Sequence, residues 1–200
     1  MHTNKIMELT LDLNKRYSYA DYLTWFDDVR RELIEGFIKL LPAPRPVHAE
    51  VSFNISVNLG TILKKYKGRC KVYPAPFDVR LPQNGETENE KINTVVQPDI
   101  SVVCDLSKID ENGCLGAPDM IVEILSPSNL KRDLHEKYVL YEKSGVKEYW
   151  IVHPTDKTVN VFLLQNDGKY DAGTFFERKG KVPVHVFDNY PIDLEDIFTD

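Results

Sequence analysis

Met120-Ile121-Val122-Glu123-Ile124-Leu125 is an apolar, β-branched run of strand length with one carboxylate in its middle. A run of this kind reads as a strand covered on both faces, and an ionised carboxylate is not left unpaired in such a place. Glu123 must therefore be protonated, salt-bridged or bound to a cation. Its surroundings favour the cation. Upstream, Val95 to Val103 reads as a second apolar strand in which Asp99 directly follows Pro98, and downstream a helix carries Lys137 on its apolar side. Two carboxylates on neighbouring strands suit a hard divalent cation, and an ammonium beside them suits a phosphate.

The rest of the chain bounds what this site can belong to. With 200 residues, 42% of them hydrophobic, there is material for one full core, read as a single domain over 1–200. The formal net charge of −6 opposes a protein that coats nucleic acid without specificity, although local patches can still guide a phosphodiester into a cleft. Cys70, Cys104 and Cys114 are odd in number and lack CxxC spacing, so neither a disulfide framework nor a zinc site is expected. No apolar stretch has the length of a signal peptide or a membrane span. The expected setting is the cytoplasm, away from membranes.

Local signals give an order of elements. Ser18 caps a short helix ending near Asp28, and Arg31 to Leu41 reads as a hairpin turning at Glu35-Gly36. The prolines 42, 44 and 46 end that run. A long helix follows the prolines, with Val51, Ile55, Leu59, Ile62, Leu63 and Tyr66 recurring at helical spacing until Gly68. Cys70 to Tyr73 and Phe77 to Leu81 read as strands, Pro82 to Asn93 as an exposed loop, and Asp105 to Gly116 as a polar connection with one helical turn. After the Ala117 to Leu125 strand, Ser128 caps a helix from about Leu130 to Ser144, stopped by Gly145. Val146 to Val152 is a further buried strand, Thr158 to Glu177 a hairpin about Asn166-Asp167-Gly168, and Leu194 to Phe198 a closing helix. The sum is an α/β sandwich with a mixed sheet.

Lys137 lies three residues after Leu134 and four before Tyr141, at the edge of a stripe formed by Leu130, Leu134, Tyr138 and Tyr141. Its ammonium can reach inward. It also lies four residues after Asp133, which allows a surface ion pair worth only a few tenths of a kcal/mol.

These residues carry a resemblance. Pro118-Asp119-Met120-Ile121-Val122-Glu123-Ile124-Leu125-Ser126-Pro127-Ser128, then Asp133, Lys137, Tyr141, Gly145-Val146 and Glu148-Tyr149-Trp150-Ile151-Val152, resemble the Uma2 family, also called DUF820. Glu32-Leu33-Ile34-Glu35-Gly36, Pro44, His48 and Pro98-Asp99 fit the same pattern in order, so the resemblance spans about Tyr17 to Pro154. The family is placed in the PD-(D/E)XK nuclease superfamily, which implies a restriction-endonuclease-like sandwich with a central mixed sheet flanked by helices. It further implies a Mg²⁺-dependent endonuclease acting on DNA, with Asp99 as the first acid and Glu123 as the second. The superfamily's lysine belongs two residues after the second acid, where this chain has Leu125. The resemblance implies that Lys137 replaces it from the helix.

On that reading Asp99 and Glu123 hold Mg²⁺, for which Mn²⁺ can substitute, with the Ile124 carbonyl and waters completing the shell. Lys137 orients the attacking water or stabilises transition-state charge, and Glu32 completes the acidic pocket. Glu35 is the weaker candidate because it fits an exposed turn. Bland readings stand beside these: Glu32 as a strand-edge carboxylate, and Asp99 and Glu123 as buried acids satisfied by backbone donors. His48, Lys64 and Lys65 are candidate substrate contacts, against a helix cap for the first and a solvated helix end for the others. Tyr149 and Trp150 are read as core. The alternative to a nuclease is a catalytically weak nucleic-acid-binding relative, or a structural protein in which Lys137 merely pairs the acids. A homodimer stays open. Two unpaired acids side by side would repel, so removing either is expected to leave the fold intact or more stable.

Overall fold

The structure is a computed structural model and describes residues 11–66, 68–83, 85–126, 132–177 and 179–199. Two compact units emerge, one from the segment ending at Pro42 together with Leu81–Val96, the other from Ala43–Arg80 and Gln97 onward.

In the first unit, Ser18 caps α1 (Tyr19–Tyr22) through a capping box with Asp21, the reciprocal arrangement that satisfies two amides left open at a helix start. The helix stops well short of Asp28. β1 (Arg31–Ile34) and β2 (Phe37–Leu40) pair antiparallel about Glu35 and Gly36. Both turn residues have positive φ, 51° and 86°, as a two-residue hairpin with the right twist requires. β5 (Val95–Val96) joins β1 on its other side. Tyr19, Leu33, Ile92 and Val95 supply fully buried side chains, so the loop before β5 is anchored by Ile92 rather than exposed throughout.

The second unit is organised by one six-stranded mixed sheet, in the order β12-β11-β10-β9-β6-β3. Its strands are β3 (Lys71–Pro74), β6 (Ile100–Val103), β9 (Met120–Ile124), β10 (Glu148–His153), β11 (Thr158–Leu163) and β12 (Thr174–Glu177). β9 and β10 run parallel and are joined by α3 (Arg132–Ser144), since a parallel pair needs a crossover. Alternation along these strands sorts two faces. Val122, Ile124, Trp150 and Val152 pack with Val51, Ile55, Leu59 and Ile62 of α2 (Pro46–Tyr66). On the opposite face Tyr138 and Tyr141 of α3 meet Tyr149 of β10 edge-on or tilted. A mixed sheet flanked by helices is thus the observed fold.

The same unit holds several shorter elements. β4 (Val79–Arg80), β8 (Gly113–Leu115) and β7 (Ile109–Asp110) form a small ribbon. β13 (Lys181–Val184) and β14 (Tyr190–Asp193) form a hairpin that, with α4 (Leu194–Ile197), extends the core with Val182, Val184, Ile192 and Leu194. That hairpin and the β7–β8 pair are absent from the sequence-based order of elements. Among the described residues no helix is long and apolar enough to cross a membrane.

Three expectations need correction. The run Val95 to Val103 is two strands, because Gln97, Pro98 and Asp99 separate β5 from β6, and proline cannot donate to a ladder. α2 begins at Pro46, within the proline-rich stretch, where the fixed φ of proline suits a first helical turn. Cys70 and Cys104 form a disulfide, leaving Cys114 as a buried free thiol among the described residues. They flank β3 and β6, whose register pairs Lys71 with Val103, so the sheet brings together two thiols that lie 34 residues apart in sequence. The Ser128 cap, Leu130 and the Asp133 and Leu134 side chains lie outside the described residues.

Candidate active site

The site begins with register. β6 and β9 are antiparallel with Ile100 opposite Val122 and Ser101 opposite Ile121. β6 begins at Ile100, one residue after Asp99, and the Asp99 carboxylate reaches the amide of Ile124, the residue that follows Glu123. The next strand places Ile151 beside Glu123. Glu123 therefore sits on the face that α3 covers, at the end of β9 that Asp99 reaches.

Neither acid is unpaired. Asp99 Oδ2 accepts from the Ile124 amide at 2.7 Å, and its Oδ1 meets His48 Nε2 at 2.9 Å. Glu123 Oε1 accepts from Lys137 Nζ at 2.9 Å and from the Tyr141 hydroxyl at 2.6 Å. The side chains of Glu123 and Lys137 are each 13% exposed, so the pair is largely withdrawn from solvent. Lys137 and Tyr141 are four residues apart on α3 and so share a helix face. His48 lies in the first turn of α2, and its reach to Asp99 fixes that turn against the start of β6. The expected repulsion between bare acids is overturned: each carboxylate has a cationic or neutral donor of its own.

Around Glu123 the same face is aromatic and largely buried. Tyr149, wholly buried, packs at 5.1 Å from Tyr141, and its hydroxyl has no hydrogen-bond partner among the described residues. Burial pushes the Tyr149 phenol well above its usual range, with the Glu123 carboxylate adding to the shift. The buried Ser101 hydroxyl, across from Ile121, is likewise without a partner there.

The remaining candidates have surroundings of their own. Ile124 meets Asp99 through its amide N–H. Lys64 and Lys65 lie at the C-terminal end of α2, which at 1.5 Å per residue is about 24 Å along the helix from His48. Lys65 points toward the Tyr190 ring. Glu32 belongs to the first unit, buried on β1 across from Lys39, and Glu35 occupies the exposed turn. The second Pro-Asp pair of the chain is structural: Asp119 accepts from the Cys104 amide at 2.7 Å and pairs with Lys147 at 2.7 Å. Tyr141 was legible only as a core position. Its spacing of four from Lys137 was the available signal.

A family model described as "Putative restriction endonuclease", that of Uma2, matches residues 19–194. The chain belongs to the Uma2 family. It is 25% identical over 160 residues to the "Uncharacterized protein slr1290" of Synechocystis sp., covering 78% of each chain. The crystal structure of "a putative nuclease belonging to DUF820" from Anabaena variabilis superposes with a TM-score of 0.72 at 24% identity, covering 92% of this chain and 98% of that one. The last comparison establishes a shared fold. Within this Uma2 chain, Asp99, Glu123, Lys137, Tyr141 and His48 converge in a single unit.

The donor set can be tested against a cation. Among the described residues no three or more His, Cys, Asp or Glu side chains form a group that could hold a metal ion. A thiolate- or imidazole-rich centre for zinc is thereby not formed there. Mg²⁺ asks for less: one or two carboxylates, the rest of its octahedron being water and substrate phosphate. Asp99 and Glu123 are carboxylates of that kind, and two hydrogen bonds on the Asp99 carboxylate use only part of its roughly four lone-pair sites.

Proposed function

We propose that this chain is a Mg²⁺-dependent endonuclease that hydrolyses phosphodiester bonds in DNA, with Asp99, Glu123 and Lys137 as its working groups. The observation that carries the reading is that the Asp99 carboxylate accepts from the amide next to Glu123, while Lys137 pairs with Glu123 from α3. Membership in Uma2 supports the class of chemistry. The metal, when bound, supplies a Lewis acid for the phosphate and a water of lowered pKa. Asp99 and Glu123 hold it, His48 and the Ile124 amide orient Asp99, and Lys137 orients the attacking water or meets the charge that builds on the phosphate. With a net charge of −6, affinity for DNA must come from such local groups.

The ion pair itself favours a second reading. Lys137 and Glu123 at 2.9 Å and mostly buried would also serve as a structural link with no catalysis. Titration calorimetry with Mn²⁺ and cleavage of end-labelled DNA and RNA by wild type, Asp99→Asn and Glu123→Gln separate the two. The nuclease reading expects metal binding and cleavage in wild type, both lost in the variants. Equal metal affinity in all three proteins, or no cleavage by wild type with Mg²⁺ or Mn²⁺, would overturn it.

A further inference from the structure

Lys137 and Tyr141, both donors to Glu123 Oε1, differ in kind. Lys137 has a long flexible stem and three equivalent protons, whereas Tyr141 has a two-torsion side chain, is 0% exposed and is packed edge-on against Tyr149. At 2.6 Å its hydroxyl makes the short bond expected of a neutral donor to an ionised carboxylate. Burying a hydroxyl is costly unless it is bonded, so a phenylalanine would serve a purely packing role better. We infer that Tyr141 is a positioning residue of this site: its hydroxyl holds the Glu123 carboxylate in place when Lys137 turns from Glu123 to the phosphate.

The inference rests on the nuclease reading and adds a requirement to it. A lysine that leaves a carboxylate in order to act on substrate takes one of its donors away, and a rigid donor that stays behind keeps the carboxylate aimed. α3 supplies that donor one turn along, from a ring that cannot move without displacing Tyr149. The division of labour is physical: the mobile cation acts, and the rigid hydroxyl keeps the ligand aimed.

Tyr141→Phe deletes the hydroxyl and keeps the ring, with Tyr138→Phe as a control that removes a hydroxyl from the same aromatic cluster. Mn²⁺ affinity by calorimetry is expected to fall about 10–100-fold in Tyr141→Phe, the usual loss when a partner of a metal ligand is removed, and to stay at the wild-type value in Tyr138→Phe. On a Glu123→Gln background the same Tyr141→Phe change is expected to cost nothing further, because the hydroxyl acts through Glu123. Thermal melts accompany each protein. If Tyr141→Phe does not fold, Tyr141→Trp and the metal-concentration dependence of its cleavage take its place, with the same weakening expected. Wild-type affinity in folded Tyr141→Phe, or an equal loss in Tyr138→Phe, overturns the inference while leaving the nuclease reading in place. A wild-type protein that binds no Mn²⁺ overturns both.

Discussion

Lys137→Ala separates a working lysine from a surface ornament by stability as well as by rate. In the folded protein Lys137 Nζ lies 2.9 Å from Glu123 Oε1, with both side chains 13% exposed. Removing one partner of a buried pair costs about 3–5 kcal/mol, because the other charge is left uncompensated. Here Tyr141 continues to donate to Glu123, and residual solvent contact screens part of the charge. The expected cost is therefore lower, roughly 2–3 kcal/mol. For a chain of this size about 1 kcal/mol corresponds to 2–4 °C in Tm, so metal-free Lys137→Ala should melt roughly 4–12 °C below wild type. Adding Glu123→Gln should recover part of that loss, since it removes the carboxylate charge that Lys137 had balanced. A surface pair with Asp133 would cost only a few tenths of a kcal/mol and would not couple to Glu123. Single-turnover cleavage of labelled DNA with Mn²⁺ should fall by about two to four orders of magnitude. A variant that melts within about 2 °C of wild type and cleaves at the wild-type rate would refute both the buried pair as a stabilising contact and the relocated lysine.

Further outcomes follow from other parts of the molecule. Glu148 is wholly buried, accepting from Trp150 Nε1 at 2.7 Å and the Val186 amide at 2.8 Å, and burial outweighs these bonds to push its carboxyl above the usual range. The folded state therefore retains a proton that the unfolded chain has lost, and stability should fall as pH rises from the ordinary glutamate range to the raised value; urea titrations at several pH values should show that slope flattened in Glu148→Gln. Gly113 has φ +112°, and an added Cβ would run into the Asp78 carbonyl oxygen, so Gly113→Ala should lose about 1–3 kcal/mol or more in chemical denaturation. Titration of unfolded, unreduced protein should find one thiol, that of Cys114, against three after reduction. Three thiols without reduction would refute the Cys70–Cys104 bond.

Much of the architecture was written locally. The hairpin at Glu35-Gly36, the cap at Ser18, the long α2 and the parallel β9–α3–β10 unit rest on turn chemistry, capping and periodicity, all of which act over a few residues. The carboxylate in the apolar β9 run was equally legible, because its cost is a property of that strand alone. What the chain could not show by itself was pairing. The pairing of β6 with β9 brought the Asp99 carboxylate to the amide beside Glu123, while Asp119 meets the Cys104 amide. Packing of α3 on the sheet decided that Tyr141 shares Oε1 with Lys137. Adjacency of β3 and β6 brought Cys70 to Cys104. Each of these is a contact across many residues, set by which strands become neighbours, and spacing along the chain carries no record of it.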